Sequence, residues 1–129
     1  MPSQDQHRRK AESNRKFLES ISLDDYPDWV VVAAFYTAVH LIERLRALAG
    51  EGHSAGHQDR LAYVQERHPK IHTAYHVLQN ASMLARYESN ATFFAQFQKE
   101  YIKDILIDKY LAEIETCVDE HVKKSFKPT

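Results

Sequence analysis

The chain has 129 residues, 43% apolar and 27% charged, the composition of one ordinary globular domain spanning 1–129. Its net charge of −1 provides no overall basic excess to attract nucleic acid, and the single cysteine, Cys117, excludes an intrachain disulfide. The longest apolar stretch, Trp29 to Ile42, is shorter than the roughly 20 residues that span a bilayer, and no apolar signal core follows MPSQDQHRRK, so a cytoplasmic chain with no membrane partner is expected.

Helix breakers fix the organisation. Prolines stand only at Pro2, Pro27, Pro69 and Pro128, and glycines only at Gly50, Gly52 and Gly56. The intervening segments are rich in strong helix formers and show no period-2 alternation. A first helix is expected from about Gln4 to Ile21, with Ala11, Asn14, Leu18 and Ile21 on one face. A turn, SLDDYP, leads into a second helix with Pro27 in its first turn, where a missing N–H costs nothing. This helix runs to about Ala49 and reads WVVVAAFYTAVHLI over Trp29–Ile42, apolar on nearly every face, so other helices must surround it. The loop GEGHSAG follows.

A third helix covers about His57 to His68, with Leu61, Val64 and Tyr63 inward, and Pro69 separates it from, or kinks it into, a fourth ending near Tyr87. Ile71, Tyr75, Leu78, Ser82 and Ala85 make one stripe of the fourth helix, and His72, His76, Gln79, Met83 and Arg86 the next. Glu88 to Thr92 reads as a turn. The last helix extends from about Phe94 to Phe126, either whole or broken near Glu100, with Ile107, Leu111, Ile114, Val118 and Val122 as its apolar seam. Short connections between long helices favour antiparallel neighbours. The expected fold is all-α, a four- to five-helix up-and-down bundle with a buried central helix.

Six of the eight histidines fall between positions 40 and 76. His40 interrupts an apolar helix, and a buried imidazole needs a partner. It is either a core histidine bonded to a carboxylate, tyrosine or carbonyl, or part of a polar cleft. His72 and His76 stand at i, i+4, a workable spacing for a transition metal that His40, His53 or His57 would complete. No C-x-x-C, H-E-x-x-H, G-x-S-x-G or Walker-type loop occurs, and Cys117 falls on the seam side of the last helix.

The run DYPDWVVVAAFYTAVHLIERL, the segment GHSAGHQDR, and then Tyr75, Leu78, Ser82 and Ala85-Arg86-Tyr87 resemble the HEPN superfamily, and more narrowly its small stand-alone prokaryotic proteins. The likeness covers residues 14 to 87. It implies a helical bundle that forms a homodimer, needs no cofactor, and binds or cleaves RNA, in some members within toxin–antitoxin or defence systems. It also implies the alternative of a non-catalytic module that pairs with an antitoxin or a nucleotidyltransferase. The family's R-x4–6-H signature fits Arg67 and His72, with His68 at the polar second position; Pro69 departs from the continuous helix that carries this motif in active members. In that setting His72 would move the proton and Arg67 would neutralise the phosphate in metal-independent cleavage. The resemblance also points to His40, His57, Arg60, Arg86 and Tyr87 as a phosphate- or nucleotide-binding set.

Overall fold

Ser3 opens the first helix with a capping box. Its Oγ accepts the Gln6 N–H at 3.2 Å, and Gln6 Oε1 accepts the Ser3 N–H at 2.7 Å. In the computed structural model, which describes residues 3–87 and 97–126, this helix is α1, Gln4–Ser20. α2, Pro27–Leu48, starts on Pro27 and is the hub of the fold. It packs most extensively on α1, and also on the fourth helix and the carboxy-terminal helix. Its end carries a Schellman motif: the Gly50 N–H bonds the Ala47 carbonyl, the Glu51 N–H bonds the Arg46 carbonyl, and Gly50 takes φ +75°. Only that left-handed residue requires glycine.

α3, His57–Arg67, ends because Pro69 pushes His68 out of the helical region, to φ −137° and ψ 60°. One 3₁₀ turn, Pro69–Ile71, then leads into α4, His72–Tyr87. The segments Lys99–Tyr101, Ile102–Leu111 and Ala112–Ser125 follow one another without a break and form α5, 99–125. The result is the expected all-α bundle, with no strand among the described residues. None of the described helices is long and apolar enough to cross a membrane. The turn expected at 88–92 and the helix start expected at Phe94 lie outside the described residues.

Three expectations change. Asn14 is half-buried rather than enclosed, and Trp29 is 56% exposed, so the central helix is covered from Val30 onward. On α3 the inward residues are Arg60, Tyr63 and Val64, with Leu61 only partly covered. The seam of α5 is also shifted. The residues with no exposed surface are Ile102, Leu106, Leu111, Ile114 and Val118, whereas Ile107 and Val122 are only partly buried. The middle of α5 is wound as a π-helix, as in the Ala112 N–H bond to the Ile107 carbonyl. A turn closed by i→i+5 bonds returns to the same face after a longer step, hence the spacing of five between Leu106 and Leu111.

This geometry predicts that Leu106→Ala costs about 3 kcal/mol in urea unfolding, and Ile107→Ala about half that or less. Equal or reversed losses would place the seam on the regular α-helical register.

Candidate functional site

Near its end the apolar helix α2 carries Glu43, only 1% exposed. A carboxylate in that position needs a cation and hydrogen bonds. Arg60, from the first turn of α3 and itself buried, donates its Nε–H to Glu43 Oε1 at 2.8 Å. Glu43 Oε2 accepts the Ser54 backbone N–H at 3.1 Å, and His53 Nε2 lies 3.7 Å from it. Burial alone would raise the Glu43 carboxyl; its bonds with Ser54 and Arg60 outweigh burial and hold it below the usual carboxylate range. One buried pair thus fastens the glycine loop and the start of α3 to the central helix.

Arg60 also sets the state of His57. Its Nη1 stands 2.9 Å from His57 Nδ1. Arginine is always protonated, so Nη1–H donates and Nδ1 accepts, leaving the ring proton of neutral His57 on Nε2. Burial, then Arg60 and Arg86, lower the His57 pKa, which keeps the ring neutral at pH 7. Phe35 lies 5.4 Å from the His57 ring and 5.8 Å from the fully buried Tyr75. The Tyr75 hydroxyl lies near Arg60 without a hydrogen bond of ordinary geometry. Burial pushes it up to about 12, so it remains a neutral phenol.

Arg86, in the last turn of α4, donates from Nη1 to the Tyr36 hydroxyl at 3.1 Å and from Nε to the Ser82 carbonyl at 3.3 Å. Its guanidinium carbon lies 5.8 Å from the Tyr36 ring centre and 5.2 Å from that of Tyr87, which is 74% exposed. Cation–π contact on two rings holds the guanidinium in place. Of the binding set that the resemblance implies, Arg60 thus touches His57 and Arg86 touches Tyr87, and the Arg86 charge acts on His57.

His40 has a different partner. Its Nδ1 lies 3.1 Å from Nδ1 of His7 on α1. One nitrogen must carry a proton and the other accept it, so the two neutral rings hold opposite tautomers. The His7 ring also stacks on His53 at 5.2 Å. Burial, then the charges of His7 and Lys10, push His40 down to about 4; burial and His53 lower His7 as well. The hollow beside the glycine loop, about 340 Å³, is lined by His7, Glu43 and His53, and not by His40 or His57. Those three lining residues bring possible ligand atoms within 4.8 Å of one another, but Arg60 and Ser54 already engage both oxygens of Glu43.

The remaining candidates do not converge. Arg67 pairs with Glu51 at 2.7 Å and lies 5.9 Å from the Tyr63 ring centre. His72 opens α4 beyond the Pro69 turn, and its ring lies 5.7 Å from that of His76. No third donor joins His72 and His76 in a ligand-like group among the described residues. Glu43 and Tyr36, which hold Arg60 and Arg86, and His7, which pairs with His40, gave no signal as functional residues in the sequence. Tyr36 and His40, one turn apart, were the nearest hint. No family model, curated protein or solved structure matches the chain.

Both His7 and His40 bind protons more weakly folded than unfolded. The unfolded chain therefore takes up more protons from about pH 6.5 down to about 4, and stability falls as pH drops through that window. Between about pH 7 and about pH 4.5 the loss is expected to be on the order of 1–2 kcal/mol, discounted for partial exposure. His40→Asn should flatten the slope measured by thermal unfolding. An unchanged slope would show that the histidine pair does not set it.

Proposed function

We propose that the chain is a HEPN-like bundle protein that binds single-stranded RNA on the surface around Arg86. One observation carries this reading: a guanidinium held against two tyrosine rings, one widely exposed, beside a neutral histidine that donates from Nε2. Bases stack on aromatic and guanidinium planes, while arginine neutralises the phosphate between them. Tyr87 supplies the exposed ring, Arg86 the charge, and His57 a directed N–H. Arg60 positions His57, and Glu43 positions Arg60.

Binding is favoured over cleavage by the state of these groups. Attack by a 2′-OH needs a proton acceptor. The acceptor nitrogen of His57 is occupied by Arg60, and Arg67 is paired with Glu51. A second reading, a module that pairs with a second copy or another protein, is supported by Phe17, Tyr26 and Trp29. Each is more than half exposed, and they line a shared hollow of about 570 Å³.

Fluorescence anisotropy with a labelled single-stranded RNA tests the first reading. Arg86→Ala is expected to weaken binding by about tenfold or more, and to reduce the slope of log affinity against log salt by about 0.7, one released counterion. The RNA should be recovered intact. Equal affinity of Arg86→Ala and the parent chain would overturn the assignment of this surface. RNA cleavage abolished by His72→Ala would move the activity to Arg67 and His72.

A further inference from the structure

The carboxy-terminal helix and the turn after α3 bring together a second set of chemically capable side chains, sharing no residue with the surface around Arg86. Cys117 and His121 are four residues apart on α5, so they share a helix face. His68 comes from the break that Pro69 imposes. All three are half-buried, and their potential ligand atoms lie within 4.8 Å of one another. The His68 and His121 rings meet edge to face with centres 4.9 Å apart.

The tautomer of His121 is fixed by its own helix. Nδ1 lies 2.9 Å from the Cys117 carbonyl, which can only accept, so Nδ1–H donates and Nε2 keeps its lone pair. Metal-bound histidines characteristically spend their second nitrogen in this way, on a carbonyl or carboxylate. Cys117 is a free thiol. All three residues line a groove of about 850 Å³.

We propose that His68, Cys117 and His121 form a three-ligand site for a zinc-class transition ion, with its fourth coordination position facing this groove. Two imidazoles and a thiolate suit such an ion and not magnesium or calcium, which take oxygen ligands. Zinc–nitrogen and zinc–sulfur bonds of about 2.0–2.3 Å set tetrahedral ligand atoms roughly 3.3–3.6 Å apart. Cys117 Sγ now lies 4.0 Å from His121 Nδ1, so side-chain rotation must bring Nε2 toward the sulfur and close spacings of up to 4.8 Å by as much as about 1.5 Å. On binding, the S–H bond breaks, the sulfur–metal bond forms and one proton leaves to solvent, while water fills the fourth position. The ion would tie the α3–α4 turn to α5.

The test uses the full chain purified without a histidine tag. Equilibrium dialysis against Zn²⁺ or Co²⁺ should load one ion per chain. The cobalt form should show tetrahedral ligand-field bands and a thiolate-to-cobalt charge-transfer band in the near ultraviolet. Cys117→Ser should remove the charge-transfer band, and His68→Gln should weaken uptake by about tenfold or more, while His53→Ala leaves both unchanged. Zinc should also slow alkylation of Cys117 in the parent chain, a readout that does not depend on any variant folding. No stoichiometric uptake, no protection of Cys117, or uptake lost only in His53→Ala would overturn the site.

Discussion

A carboxylate buried inside an apolar helix governs the organisation of this molecule. Glu43 lies buried in α2, an otherwise largely apolar helix, and it remains charged because Arg60 and Ser54 engage both of its oxygens. Removing either charge would leave the other unpaired in a poorly solvated interior, at a cost of about 3–5 kcal/mol. The pair therefore acts as a constraint on geometry. α3 packs mainly on α4 and touches α2 sparingly, so the ion pair supplies much of what registers α3 against the hub. The loop between them follows, because the Ser54 N–H must face Glu43.

The consequences run outward in a chain of dependent states. Arg60, fixed by Glu43, fixes the tautomer of His57, and with Arg86 keeps that ring neutral. Arg86 is held in turn by the Tyr36 hydroxyl and two aromatic rings. A surface suited to phosphate and bases thus rests on a buried pair that touches neither. The His7–His40 pair belongs to a separate layer, between α1 and α2, where two neutral rings satisfy one another and their desolvation weakens the fold in acid.

The fold was largely legible because its punctuation is local. Pro27, Pro69 and the glycines of the GEGHSAG loop mark helix boundaries by sterics alone, and the all-round apolar character of Trp29–Ile42 identifies the hub. What escaped depends on long-range placement. Glu43 belongs to an ordinary-looking Ile-Glu-Arg-Leu step near a helix end, and only the approach of Arg60, 17 residues later, makes its burial affordable. His7 sits within the polar run QDQHRRK and is buried only because α1 lies against α2. The seam of α5 was misregistered at Ile107 because a regular period cannot anticipate a π-turn. His40, His57, Arg60, Arg86 and Tyr87 were grouped only by the family resemblance, and His40 pairs instead with His7; Arg67 and His72 fall on either side of the Pro69 turn, with Arg67 held by Glu51.

The central claim, that Glu43 and Arg60 act as one unit and organise the proposed RNA-binding surface, is tested most directly by a double-mutant cycle. Stability and RNA affinity would be measured for Glu43→Gln, Arg60→Met and the two combined. The account predicts that each single change costs several kcal/mol, that the double change recovers at least about 2 kcal/mol relative to their sum, and that RNA binding stays impaired in the refolded double variant because His57 has lost its anchor. Additive losses with no coupling, or a double variant that binds RNA as the parent chain does, would contradict it.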